Sequence, residues 1–66
     1  MDRNIIEEIM VEKNLTMHQV AKLIDYDIAV LSKVKNRNRK MSHKLAFKIS
    51  QVFGYDLDEI IMVEKI

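Results

Sequence analysis

A block of positive charge in the middle of the chain is its clearest chemical feature. Residues 33–48 hold seven lysines and arginines and no acidic residue, whereas residues 1–32 and 49–66 each carry a net charge of −3. A surface that only faces solvent usually mixes the two signs, so this block favours an anionic partner over an ordinary solvated face. The phosphate backbone of a nucleic acid fits best. The seven cations are Lys33, Lys35, Arg37, Arg39, Lys40, Lys44 and Lys48.

Catalytic and metal-binding patterns are weak by comparison. His18 and His43 lie far apart in the sequence, and without cysteine or a tight ligand spacing they indicate exposed or phosphate-contacting residues rather than a metal pair. Glu7 and Glu8 are adjacent, so on a helix they point in different directions and cannot work as paired carboxylates. The chain has no glycine-rich phosphate loop and no nucleophile beside a base. We therefore expect no enzyme activity, no cofactor, no metal and no small-molecule substrate.

Length and composition limit the class of protein. The chain has 66 residues, of which 48% are apolar and 32% charged, and this balance is typical of one small folded domain over residues 1–66. There is no apolar run near the ~20 residues that a bilayer span needs, and no charged segment followed by an apolar one at the start. Cysteine is absent, which suits a reducing compartment. We expect a cytoplasmic protein with no membrane partner.

Apolar spacing and capping signals predict five short helices, so the expected fold class is all-α. The first helix is predicted over residues 2–13, with Asp2 as a candidate N-cap and Asn14 as a left-handed stop. Thr16 and Gln19 form a capping box at the start of the second helix. The residues of that helix expected to face inward are Val20, Ala21 and Ile24.

The remaining helices are marked by similar signals. Asp27 is a suitable N-cap for a third helix over residues 28–36, with Leu31 and Val34 facing inward. A polar loop follows, and Ser42 begins a fourth helix that ends at Gly54, where a positive φ costs glycine little. A second capping box, in residues 56–59, begins a fifth helix over residues 57–64. The inward residues of the fourth helix are expected to be Leu45, Ile49, Val52 and Phe53.

Two short helices joined by a tight turn, the second followed by a basic loop, form the helix-turn-helix arrangement. At these positions the sequence resembles the phage Cro and repressor family over nearly its whole length. The resemblance rests on "LT" with "VA" four residues on, "LSKVKNRNRKMS" and "LAFKISQVFGYDLDEII", in this order and at these spacings. It implies a compact, lambda-repressor-like bundle with helices 2 and 3 as the helix-turn-helix. The implied function is sequence-specific transcription regulation on double-stranded DNA, in a phage or mobile element.

The resemblance also implies roles for individual positions. Ala21 matches the small residue that lets helices 2 and 3 pack closely. The outward positions of helix 3, which face base edges in the family, are matched by Ile28, Ala29, Ser32 and Lys33. The positions implied to contact phosphates are Met17, at the start of helix 2, and the loop residues Asn36, Arg37, Asn38, Arg39, Lys40 and Ser42.

Four features depart from the family's usual pattern. Asp25 occupies the turn position that is usually glycine, and aspartate accepts left-handed geometry better than most residues. Met17 replaces a common glutamine, and Met41 replaces a frequent proline, which makes the loop exit less rigid. Met10 and Lys35 stand where most members pair an arginine with a glutamate, so that ion pair is not expected.

These residues favour a particular way of reading DNA. Ile28 and Ala29 cannot donate hydrogen bonds to bases but can contact thymine methyl groups, while Ser32 and Lys33 supply polar contacts, Lys33 being best suited to guanine. The carboxylate of Asp27 is used as a cap, so it need not face phosphate. We therefore predict a T-rich half-site that is read through few direct hydrogen bonds and through DNA shape.

The chain has more apolar residues than one small core needs, and this leaves two interpretations open. One is a two-fold homodimer that binds a palindromic operator, as such domains usually do. The other is a protein-interaction module, antitoxin-like or partner-binding, on the same scaffold with little DNA affinity. The residues predicted to form the dimer contact are Ile61, Met62, Val63 and Ile66.

Overall fold

The structure, a computed structural model, describes residues 4–66 and contains five helices in that range. They are α1 (Ile5–Glu12), α2 (Met17–Ile24), α3 (Ile28–Lys35), α4 (His43–Phe53) and α5 (Leu57–Glu64). The predicted all-α class is confirmed, and no strand occurs among the described residues. The radius of gyration is 10.5 Å, close to the ~11 Å expected for a compact chain of this length. Over residues 4–66, every helix is too short or too polar to cross a membrane.

The start of α1 differs from the prediction. Asp2, the predicted N-cap, lies outside the described residues, and the cap is Asn4, whose Oδ1 accepts from the Glu7 amide at 3.0 Å. Asn4 is also the only buried polar residue of the described chain, with 1% of its surface exposed. Its Nδ2 donates to the backbone oxygens of Val34, at 3.1 Å, and Lys35, at 2.7 Å. One side chain thus completes the start of α1 and the end of α3.

The N-caps predicted for the other helices are confirmed. Thr16 and Gln19 form the capping box, with distances of 2.8 Å from the Thr16 amide to Gln19 Oε1 and 3.2 Å from the Gln19 amide to Thr16 Oγ1. Ser42 accepts from the Leu45 amide at 3.1 Å. Asp56 caps α5, but it accepts from the amide of Asp58, at 2.9 Å, so the predicted second capping box takes the form of a shorter turn.

Left-handed residues follow the helices, and most of them are not glycine. Gly54 has φ +78°, as predicted, and Asn14 and Asp25 each have φ +54°, also as predicted. Arg37, at φ +63°, and Lys65, at φ +57°, complete the set. Because an L side chain in this region costs about 1–2 kcal/mol, the chain accepts local strain at four of these stops.

The core is apolar and draws on every helix. Its buried residues are Ile6, Ile9, Val20, Ala21, Ile24, Leu31, Val34, Met41, Leu45, Ala46, Ile49 and Ile60. All the inward residues predicted for α2 and α3 are among them.

One inward prediction for α4 is wrong, since Val52 is 46% exposed. Ala46, Ile49 and Phe53 instead continue the apolar stripe at intervals of three and four residues. Val52 precedes Phe53 and so lies about 100° away from it around the helix. The other inward predictions for α4 are confirmed, because Leu45 and Ile49 are buried and Phe53 packs against the core.

Candidate nucleic-acid interface

The connection between α2 and α3, the predicted helix-turn-helix pair, is built by Asp25, Tyr26 and Asp27. The Tyr26 amide donates to the Ala21 carbonyl at 2.9 Å, which closes α2 while Asp25 takes its left-handed conformation. Two residues later, the Asp27 carboxylate accepts from the Ala29 amide at 2.8 Å and starts α3. The turn is therefore held by hydrogen bonds on both sides, which fixes the direction in which α3 leaves α2.

Lys48 reaches this turn from α4. Its Nζ donates to the Ile24 oxygen, at 3.3 Å, and to the Asp25 oxygen, at 3.5 Å. A cation at this point offsets the partial negative charge at the C-terminal end of α2. The sequence placed Lys48 in the cationic block, but the structure gives this lysine a role within the fold.

The outer face of α3 is formed by residues at helical spacing. Ala29, Lys33 and Asn36 are exposed at intervals of four and three residues, which places them on one stripe. Ser32 is half-buried, and Ile28 is half-buried against the core. Of the four residues predicted to read bases, Ala29 and Lys33 are thus the most accessible, and Asn36, predicted for phosphate, shares their face.

The basic loop is attached firmly at the end of α3. Here the Arg37 amide donates to the Val34 oxygen at 3.1 Å, and the Asn38 amide donates to the Lys33 oxygen at 2.8 Å. With Arg37 in the left-handed conformation, this pair of bonds forms the Schellman motif that ends many helices. The side chains of residues 37–40 are exposed, as a phosphate-binding loop requires.

The other end of the loop is held by burial. Met41 is only 5% exposed and belongs to the core, so the predicted looser exit is replaced by an apolar anchor. Ser42 is exposed and caps α4 directly afterwards. His43 and Lys44, in the first turn of α4, are exposed as well. The loop therefore presents its cations beside the positive end of α4.

Met17 begins α2, where the predicted phosphate contact was placed. Its side chain is half-buried and packs against the core, while His18 beside it is exposed. The Met17 side chain is therefore not open to an anion, and the backbone amides at the positive end of the helix are, together with His18.

The residues predicted for the dimer contact differ in accessibility. Met62 is 71% and Val63 is 56% exposed. Ile61 and Ile66 are half-buried, and Ile66 packs against the core of its own chain. The solvent-exposed part of the predicted dimer contact is therefore the side of α5 that carries Met62 and Val63.

Sequence reasoning missed three polar residues that hold the helices together: Asn4, Lys48 and Glu64. Glu64, near the end of α5, accepts from the Ile5 amide at 3.0 Å through its Oε2 and so satisfies the first turn of α1. Asn4 had a local signal, because asparagine is a favoured N-cap. Lys48 and Glu64 had none, because their partners are distant in the sequence.

Comparison with protein families matches residues 6–60 to the helix-turn-helix family model. The matched region begins inside α1 and ends inside α5, so it includes the α2–α3 pair and the basic loop. Comparisons with curated proteins and with solved structures give no match.

Proposed function

This chain belongs to the Cro/C1-type helix-turn-helix family of DNA-binding transcription regulators, and from that membership we propose that it binds a specific operator with α3 in the major groove. The family is a regulatory one and not an enzyme family. In this proposal α2 and α3 are the helix-turn-helix, and the protein regulates a promoter of a phage or mobile element.

The observation that carries the proposal is the position of the exposed α3 stripe beside the basic loop. Ala29 and Lys33 are open to a partner, and the Schellman motif at Arg37 ties the loop directly to the end of the same helix. A helix inserted in the major groove needs cations beside it to hold the flanking phosphates. Here both parts come from one continuous segment, residues 28–42.

The chemistry of the stripe sets the expected half-site. Ala29 presents a methyl group suited to a thymine methyl, and Lys33 presents an ammonium group suited to guanine O6 and N7. Ile28 and Ser32, both half-buried, add shorter contacts at the edge of the helix. We infer a T-rich half-site in which one position depends on Lys33 and DNA shape supplies further discrimination.

Contacts to phosphate supply most of the affinity in this proposal. The exposed loop residues Asn36, Arg37, Asn38, Arg39 and Lys40 face the backbone, together with Ser42 and the amides at the start of α2, next to Met17. Each neutralised phosphate steepens the dependence of log K on log salt by about 0.9. Strong weakening of binding by salt is therefore part of the proposal.

A homodimer completes the proposed mode of binding. Met62 and Val63 expose apolar surface on α5, and Ile61 and Ile66 border it. A two-fold contact through this surface would place two copies of α3 in successive major grooves, about 34–36 Å apart. The operator would then be palindromic.

Selection of bound duplexes from a random DNA pool, repeated at several salt concentrations, tests this function. The expected result is a palindromic motif whose binding weakens steeply with salt. Enrichment of no sequence, together with salt-insensitive or absent binding, would contradict the proposal and favour the partner-binding module instead. An unpaired half-site would retain DNA reading but contradict the dimer.

A further inference from the structure

A groove between α1 and α5 differs in charge from the rest of the molecule. It encloses about 300 Å³, and its rim carries four carboxylates, Glu8 and Glu12 from α1 and Asp56 and Glu59 from the α5 side. Its floor is apolar and includes Ile60, which is buried. None of the residues that line it is a lysine or arginine. We call this feature the acidic groove.

Tyr55 reports the electrostatic character of the acidic groove. Burial, the charge of Glu12, the hydrogen bond to Glu12 and the charge of Glu8 together raise the pKa of Tyr55 above its ordinary value. The phenol donates to Glu12 Oε1 at 3.3 Å, and Lys13 Nζ lies 6.0 Å from the centre of the ring. The groove thus disfavours an added negative charge, and one cation of the chain is already drawn to its aromatic ring.

We propose that the acidic groove binds a cationic amphipathic segment of a partner protein. Apolar side chains of that segment would pack on the floor, and its lysines or arginines would meet the carboxylates. Glu8 and Glu12 are four residues apart on α1, so both point along one edge of the groove. Apolar floors between two helices commonly receive a helix in this way, and the charged rims set which helix is accepted.

The negative charge of the acidic groove disfavours DNA and a second copy of this chain as its partner. DNA would be repelled by four carboxylates. A second copy docked by a two-fold axis would bring the same acids face to face, which disfavours an isologous contact centred here. The acidic groove shares no residue with the surface proposed to contact DNA, so a partner and an operator could be bound together. Val63 belongs both to the groove lining and to the proposed dimer contact, and for that reason the tests use the carboxylates.

A model peptide tests the inference with the intact chain. The probe is an acetylated, amidated peptide of leucine and lysine at helical spacing, titrated into labelled protein while amide NMR signals are followed. We expect the largest shifts at Glu8, Glu12, Tyr55 and Glu59. Binding should weaken about tenfold in the double variant Glu12→Gln/Glu59→Gln. Each exposed charge pair contributes only part of the binding free energy that a tenfold change in Kd requires, and the double variant loses two such pairs. Asp58→Asn, outside the groove, is the matched control and should bind as the parent does.

Three outcomes would overturn the inference: shifts confined to residues 28–44, equal binding by the double variant, or equal shifts with spermidine, which would indicate a site for small polycations. A peptide with serine in place of leucine should bind more weakly, since it cannot fill the apolar floor. Operator binding by Glu12→Gln/Glu59→Gln should stay unchanged. That measurement separates failure of this inference from failure of the DNA-binding proposal.

Discussion

The side-chain amide of Asn4 donates to the backbone oxygen of Lys35 across 2.7 Å, and so ties the first helix to the last turn of α3. The same residue caps α1 through its other side-chain atom. The helix that carries the proposed base-reading residues is thus held at its C-terminal end by a hydrogen bond from the buried Asn4 side chain. Correct placement of α3 depends on both ends of the helix, the Asp27 turn at one and Asn4 at the other.

Replacement of Asn4 by alanine should therefore destabilise the fold by about 2–3 kcal/mol, because it removes a helix cap and takes away the donor to the Lys35 carbonyl oxygen. Urea unfolding would measure the loss. Asn4→Ser keeps a capping oxygen but cannot reach α3 in the same way, so it should fall between the parent and Asn4→Ala. Equal stability of Asn4→Ala and the parent would show that the hydrogen bonds of the Asn4 side chain do not stabilise the fold.

The residues with positive φ that follow the helices allow a paired test of backbone strain. Asp25→Gly should raise stability by about 1 kcal/mol, because glycine adopts φ +54° without the steric cost that aspartate bears. Gly54→Ala should lower it by about 1 kcal/mol. A Cβ at Gly54 would meet no heavy atom within 4 Å, so that loss would come from the backbone conformation alone. Thermal unfolding checks both, and a shift of the same sign in the two variants would contradict the argument.

Lys48 supports the turn between α2 and α3. Lys48→Met keeps the aliphatic length of the side chain but removes the donor to the Ile24 and Asp25 oxygens, and we expect a loss of about 0.5–1.5 kcal/mol in unfolding free energy. Lys44→Met, at an exposed position in the same helix, is the control and should change stability little. If both variants lose the same amount, general charge rather than the turn is responsible.

Lys33 is expected to determine one base pair. Lys33→Ala should cost about 1–3 kcal/mol on the preferred operator and relax the preference at a single position. Arg39→Ala, in the loop, should instead weaken all sequences alike and lower the salt slope by about 0.9. Fluorescence anisotropy with operator variants measures both. If Lys33→Ala and Ala29→Glu both left the sequence specificity unchanged, α3 would not be the helix that reads the bases.

The proposed dimer would form through apolar surface that is exposed in the single chain. Met62→Glu should shift the chain to monomer in sedimentation experiments and reduce binding to a palindrome more than to a half-site, because a charge would be buried at the two-fold contact. Val11→Glu, at another exposed apolar position, is the control. If the unsubstituted chain is monomeric at high micromolar concentration, the dimer proposal is contradicted.

The features that the sequence predicted correctly are those with local causes. Thr16, Asp27 and Ser42 cap helices through bonds to residues two or three positions ahead, so the signal and its partner lie in the same short segment. Gly54 is similar, since its role follows from its own backbone. The resemblance to the Cro and repressor family then placed these helices in order, and the family match confirms the class.

The features that were missed depend on the tertiary fold. Asn4 acts on a residue 31 positions away, and Glu64 on one 59 positions away. No periodicity or capping rule reports such pairs. For the candidate site, the sequence predicted the cations and the outward positions of Ala29 and Lys33, whereas the half-burial of Ile28, Ser32 and Met17 depends on how the helices pack around the core. The acidic groove likewise forms only when α1 and α5 come together.

Burial of Met41 has a consequence for how the basic loop would bind DNA in the proposed complex. Its side chain holds the end of the loop that proline restrains in many members of the family, and the start is closed onto α3 at Arg37. Anchoring at both ends restricts the backbone of those few residues in the folded chain, so less backbone entropy would be lost on association with a duplex. In the proposed complex, the buried Met41 side chain would replace the proline ring as the restraint on the loop, and the loop would meet the phosphates with its backbone already ordered.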